Sequence, residues 1–217
     1  MTPMFAEAID PLILAVLDQL DRIGRNEALV PQNERSYLQN RFHEAEAKLG
    51  GKREWQFAKY ALASWVDDML IEAPWEGRDW WENNSLEFAY FQTRDRATQF
   101  FVRATQAMDL PNRDALEVFY LCVVLGFRGF YTLPDAVYLS DQLGLPPNLE
   151  GWTERVAKSI QVGQGRPRMS GNFRSSQGAP PLEGKFQLLS ASLLAVILSA
   201  FTIVVGYFAW AAEFARP

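Results

Sequence analysis

From Phe186 to Ala212 the chain carries no charged residue. A bilayer core of about 30 Å is crossed by about 20 helical residues. The run is therefore long enough to span a membrane with some tilt. Helices inside soluble domains rarely continue this far without a polar face. The sequence accordingly predicts one transmembrane helix over residues 186–212. Tyr207 and Trp210 lie near its distal end, where amphipathic rings favour the interface. Arg166, Arg168, Arg174 and Lys185 precede the run, and only Arg216 follows it, beside Glu213. Basic residues accumulate on the cytoplasmic side of a span. This predicts a cytoplasmic N-terminal domain and a short tail, residues 213–217, on the far side. The N-terminus has Glu7 and Asp10 and no basic cluster, so it does not read as a signal peptide.

The 217 residues are 48 % hydrophobic and 22 % charged, which suits one folded domain plus this appendage. Charge is unevenly placed: residues 1–160 carry a net −8 and residues 161–217 a net +3. An acidic domain argues against nucleic acid as a partner. Cys122 is the only cysteine and His43 the only histidine, which excludes an intrachain disulfide and a multi-cysteine metal site. No glycine-rich phosphate loop or dinucleotide fingerprint is present, so neither a cofactor nor a small-molecule substrate is expected.

Residues 1–162 read as helices throughout. Phe5, Ile9, Leu12, Val16, Leu20 and Ile23 recur at helical spacing. A break near Pro31 precedes a helix that ends at Gly50-Gly51. A third helix covers about 54–73 and stops before Pro74, since proline disfavours helix in the residue before it. The stretch from Pro74 to Ser85 reads as a loop, followed by helices over 86–91 and 94–108. The next helix spans about 113–127, with Gly129 as its C′ residue. Pro134 suits the first turn of another helix ending at Gly144, and a last one lies near 152–160. Residues 163–185, rich in Gly, Pro, Ser and Arg, read as a flexible linker.

Three passages occur together. The first is Trp65-Val66-Asp67-Asp68 followed by Trp75, Trp80 and Trp81. The second is Phe100-Phe101. The third is Leu116 to Tyr120 running into Gly126-Phe127-Arg128-Gly129-Phe130-Tyr131. In this order, with a tail anchor, they resemble the DotU family, called TssL in type VI secretion systems and IcmH or DotU in type IVb systems. The similarity covers most of residues 10–160. Two departures stand out: the acidic pair is Asp67-Asp68 where the family usually has Asp-Glu, and no peptidoglycan-binding domain follows the span before Pro217. The resemblance implies an all-α cytoplasmic domain of two packed helical bundles with a cleft between them, plus the C-terminal transmembrane helix. It implies residence in the inner membrane of a Gram-negative bacterium, with a periplasmic C-terminus. The implied partners are an IcmF/TssM-like inner-membrane protein, an outer-membrane lipoprotein reached through it, and cytoplasmic baseplate proteins.

Each candidate site has a plain structural reading beside it. On the third helix, Trp55, Ala58, Leu62, Val66 and Met69 define the core face at 100° per residue. Asp67 then points nearly away from the core, while Asp68 and Glu72 lie on its flank one turn apart. Like charges at that spacing cost about 0.2–0.5 kcal/mol, so the pair needs a cation or a partner. Trp75, Trp80 and Trp81 either pin the loop or form an exposed hot spot. Gly126 and Gly129 are expected to turn the chain so that Phe127 and Tyr131 enter the core. Cys122 reads as a buried small hydrophobe and His43 as a surface residue. Ala191, Ala195 and Ser199, and likewise Thr202 and Gly206, repeat every four residues, a spacing that lets helices approach closely in lipid, either on a partner's span or in a homodimer. The expectation is a non-enzymatic docking subunit of a type VI membrane complex. The alternatives are the same role in a type IVb system, or a tail-anchored enzyme using Asp67, Asp68 and Glu72.

Overall fold

The computed structural model describes residues 1–163, 192–194, 196–200 and 202–206. The chain divides into two units, Met1–Pro167 and Arg168–Pro217. Among the described residues of the first, nine α-helices follow in order: α1 (Pro3–Gly24), α2 (Pro31–Leu49), α3 (Arg53–Glu72), α4 (Arg78–Asn83), α5 (Leu86–Phe91), α6 (Arg96–Ala107), α7 (Asp114–Val124), α8 (Ala136–Gln142) and α9 (Leu149–Gly163). A 3-10 turn, Gly129–Thr132, links α7 to α8. No strand occurs among the described residues.

Helix α3 is the axis. It packs on α1 and α2 in one bundle and on α6 and α7 in the other, where α9 covers α7. Every residue from Tyr60 to Asp67 is buried. Small side chains make this feasible: Ala58, Ala61, Ala63 and Ser64 are fully buried and let neighbouring helices approach. The Cys122 thiol of α7 lies 3.7 Å from the Ala61 carbonyl. Around the second bundle the rings interlock. Phe100 stacks on Phe127 at 3.9 Å and meets Phe119 edge-on at 4.8 Å. Phe101 meets Phe130, Tyr131 and Trp152 edge-on at 5.2, 4.9 and 5.1 Å. Offset and edge-to-face ring pairs like these add about 0.5–1.5 kcal/mol each beyond their burial.

The structure revises several boundaries. The stretch 74–85, read as loop, contains the one-and-a-half-turn helix α4. Helix α7 stops at Val124 rather than near 127, and Gly126, not Gly129, is its C′ residue. Phe127 N–H donates to the Cys122 carbonyl (3.0 Å) and Gly126 N–H to that of Val123 (3.2 Å). This is the Schellman pattern, and Gly126 supplies its positive φ of 118°. Gly129 has φ 53°, and a Cβ there would lie 2.6 Å from the Ala97 carbonyl oxygen.

By length and apolarity alone, Asp114–Thr132 would also qualify as a membrane span. Its packing says otherwise. Ala115, Leu116, Val118, Phe119, Cys122, Val123, Phe127 and Phe130 are buried in the domain core, and the helix is broken at Gly126. In the second unit, the described residues within Ser192–Gly206 are helical. Leu193, Leu194, Val196, Ile197, Ile203 and Val204 all point outward uncovered. The remainder of the predicted span 186–212, the linker after Gly163 and the tail 213–217 lie outside the described residues.

Replacing Gly129 with alanine forces a Cβ into the left-handed region and against the Ala97 carbonyl. The left-handed conformation costs about 1–2 kcal/mol and overpacking about 1–3 kcal/mol. Urea denaturation of Gly129→Ala is expected to show a loss of about 2–4 kcal/mol with an unchanged m-value.

Candidate functional site

The C-terminal half of α3 carries Asp67, Asp68 and Glu72, and the fold gives each a different environment. Asp67 does not point away from the core as helical geometry alone suggested. It is 0 % exposed, because α4 and α5 pack over that face. Its Oδ1 accepts from the Trp81 indole N–H (2.9 Å) and the Leu86 backbone N–H (2.8 Å). Its Oδ2 accepts from the Glu87 backbone N–H (2.7 Å). The carboxylate thus satisfies two of the orphan N–H groups that open α5. Burial pushes the Asp67 carboxyl up to about 6, against the opposing effect of these donors and of Arg96.

Glu87, which sequence reasoning did not single out, is a second buried acid. Its Oε1 accepts from the Tyr60 hydroxyl (2.9 Å), the Thr93 hydroxyl (2.9 Å) and the Asp95 backbone N–H (3.1 Å). Burial, and then the Glu87 charge, push the Tyr60 phenol above its usual range. The Arg103 guanidinium sits 3.8 Å above the Tyr60 ring. An acid after a serine in a short apolar helix looks like any surface glutamate, so only the fold reveals it.

Asp68 and Glu72 face outward. Asp68 is half-buried, and Arg96 Nε approaches it at 3.6 Å. Burial raises the Asp68 carboxyl, and the Arg96 charge opposes that rise. Glu72 is exposed and makes no ion pair among the described residues. Both acids sit at the negative end of the helix dipole, and the last turn of α3 has no basic residue.

The tryptophans serve mainly as packing. Trp81 is fully buried, with Trp75 at 6.2 Å and Trp80 at 6.4 Å between ring centroids. Half-buried Trp75 donates its indole N–H to the Leu70 carbonyl (2.7 Å). Pro74, Trp75 and Glu76 line a shallow cavity of about 220 Å³ with Ile23, Asn26, Glu27, Ala28 and Leu29.

Other candidates fall elsewhere. Gly126, Phe127, Gly129 and Tyr131 build the turn after α7, and the Tyr131 hydroxyl donates to the Pro146 carbonyl (2.8 Å). Arg128 donates to the carbonyls of Val123 (2.8 Å) and Phe127 (3.1 Å). Cys122 is buried, which pushes its thiol up, while His43 is exposed, so the two form no nucleophile pair. On the C-terminal helix, the Thr202 hydroxyl donates to the carbonyls of Leu198 and Ser199. Ser199, Thr202 and Gly206 are described there, whereas Ala191 and Ala195 lie outside the described residues. Among the described residues no three His, Cys, Asp or Glu side chains gather to hold a metal ion. The α3 acids divide, Asp67 inward and sealed by donors, Asp68 and Glu72 on the outer flank. Asp67, sealed inside by its three donors, is not available to pair with the outer two in acid–base chemistry.

Two outcomes test this assignment. Trp81→Ala removes a buried ring and one of the two donors to Asp67 Oδ1, so a loss of about 3–5 kcal/mol is expected, while Trp80→Ala costs far less; thermal melts compare them. The folded Asp67 carboxyl titrates near 6 against an unfolded value near 3.8, so the fold binds its proton more tightly. The stabilisation by that proton is complete below about pH 3.8 and is lost as pH rises through about 6. The stability difference between wild type and Asp67→Asn should therefore shift in favour of wild type as pH falls from 7 to 4.

Comparison with known proteins agrees with this geometry. The family described as Type VI secretion system protein DotU matches residues 4–213. No curated protein matches the chain. Among solved structures, the cytoplasmic domain of TssL from Acinetobacter baumannii is similar at 21 % sequence identity and a TM-score of 0.53. The match covers 72 % of this chain and 98 % of that one, and it supports the all-helical fold. The chain thus belongs to the DotU family of type VI secretion system proteins, as a structural and docking subunit of the DotU/TssL type.

Proposed function

We propose that this protein is a single-pass inner-membrane subunit of a type VI secretion membrane complex. Its residues 1–162 would lie in the cytoplasm, with 163–185 as linker, 186–212 as span and 213–217 as periplasmic tail. Within the membrane it joins an IcmF/TssM-like protein and, through it, an outer-membrane lipoprotein. On the cytoplasmic side it docks baseplate proteins through the acidic end of α3 and the adjoining loop with Trp75 and Trp80.

One observation carries the docking assignment. Asp68 and Glu72 stand one turn apart at the helix end where the dipole disfavours acids, and Arg96 approaches only Asp68 among the described residues. Both the like charges and the dipole make this arrangement mildly unfavourable within the domain. Asp67 beneath them is locked by three donors, so the outer acids stand on a rigid base. A preorganised acidic patch loses little further order when it meets a basic surface.

The experiment is affinity purification of the full chain from its native cell in mild detergent. The double variant Glu72→Lys with Asp68→Asn is expected to keep its helical circular dichroism and its IcmF-like partner while losing most baseplate capture. Undiminished capture of baseplate proteins overturns the assignment of this patch.

A further inference from the structure

Helix α8 is apolar on two sides: Ala136 and Leu139 pack against the core, while Val137 and Tyr138 stay uncovered. Its one buried side chain is Ser140, whose hydroxyl donates back to the Val137 carbonyl (2.8 Å). Val137 and Tyr138, on the same short helix, are each 65 % exposed, and Leu133 just before it is 48 % exposed. A surface helix ordinarily keeps its outer side polar. Here they border a groove of about 670 Å³, lined by Pro134, Val137, Tyr138, Leu145 and Pro147 together with Asp135 and Asp141.

The groove is held open by rigid parts. Helix α8 ends in a Schellman turn: Gly144 has φ 64°, Leu145 N–H donates to the Ser140 carbonyl (2.8 Å) and Gly144 N–H to that of Asp141 (3.1 Å). The Tyr131 hydroxyl clamps Pro146 at 2.8 Å, and Tyr131 itself packs on Phe101 in the core. Prolines 134, 146 and 147 restrict the backbone on either side. The apolar face is therefore an ordered surface.

The charged residues lining the groove are both acidic, and the nearby Arg155 is engaged with the Gly144 carbonyl (3.3 Å). Between Arg128 and Arg155 the chain has Asp135, Asp141, Glu150 and Glu154 and no lysine or arginine. Asp135 and Asp141 are exposed within the groove lining. An apolar cleft with an acidic border complements a segment that is apolar on one side and basic on its flanks. The same acids repel the anionic headgroups of a cytoplasmic leaflet.

We infer that the α8 groove is a docking site for a basic amphipathic helix of a partner protein, whose apolar face covers Val137 and Tyr138 while its Lys or Arg side chains meet Asp135 and Asp141. Recognition of this kind seats apolar anchors at i, i+3, i+4 and i+7 in a groove. The site shares no residue with the acidic end of α3, so each fails or stands independently of the other.

The test uses the full chain in phosphatidylcholine nanodiscs. The probe is a synthetic helical peptide with leucines at i, i+3, i+4 and i+7 flanked by lysines, compared with a twin carrying glutamates for lysines. Fluorescence anisotropy should show the lysine peptide binding about tenfold or more tightly than its twin, the gap closing with salt. Val137→Ser with Tyr138→Ser, and separately Asp135→Asn with Asp141→Asn, should each weaken that binding about tenfold. These positions are exposed, so circular dichroism should stay unchanged. Equal affinity for the two peptides, or indifference to both double variants, overturns the proposal. In the native cell, a photo-crosslinking residue at position 137 should join a Lys- or Arg-flanked amphipathic segment of another protein. Crosslinks only to lipid or to a second copy of this chain overturn it as well.

Discussion

The carboxylate of Asp67 holds the centre of this domain together. It sits on the axial helix with no exposure to water and satisfies one indole and two backbone donors from the segment that folds over it. Removing one partner from a buried charge typically costs about 3–5 kcal/mol, so the surrounding groups are tied to one another's positions. The Trp81 ring, the first turn of α5 and the course of the chain between α3 and α6 all follow from that one acceptor. Glu87 repeats the device a few residues on, with Tyr60, Thr93 and Asp95 as donors.

This arrangement explains how an acidic sequence can be both structural and adhesive. Neighbouring residues on one helix, Asp67 and Asp68, serve opposite ends. The inner one organises the fold, and the outer one lies half-buried beside Arg96, next to the exposed Glu72. Burial raises the carboxyl of both, more fully sealed for Asp67 and partly relieved by Arg96 for Asp68. A chain that works by docking gains from this rigidity, because an ordered surface gives up less entropy on binding. The same reasoning applies to the α8 groove, whose walls are set by a glycine turn, three prolines and a tyrosine clamp.

Much of the helical order was legible from residues alone. The apolar spacing of Phe5, Ile9, Leu12 and Val16 led to α1, and Pro74 marked the end of α3 within a residue or two. The glycines of the Gly126–Tyr131 passage were readable as turn residues, although which of them closed α7 was not. Gly126 and Gly129 both adopt positive φ, and only the hydrogen bonds from Phe127 and Gly126 back to α7 distinguish the C′ position. Helix α4 was hidden because its pattern, Arg78 to Asn83, is too short for periodicity and is held by Trp81 reaching Asp67. Glu87 was hidden for a related reason: its burial depends on Tyr60, which is distant in sequence.

The helical class, the acidic character of the domain, the apolar C-terminal run and the passages that mark the family are all written in the linear order of residues. Those properties depend on composition and on spacing along a single helix, and nothing distant is required to read them. Packing between helices sets which acid of the Asp67-Asp68 pair is interior, which tryptophan is core, and that α8 presents its valine and tyrosine outward. Each of these depends on what packs against a helix face, and a helical wheel assigns one inward face to a helix. Helix α3 has neighbours almost all round and α8 has few, so the wheel fails in opposite directions for the two.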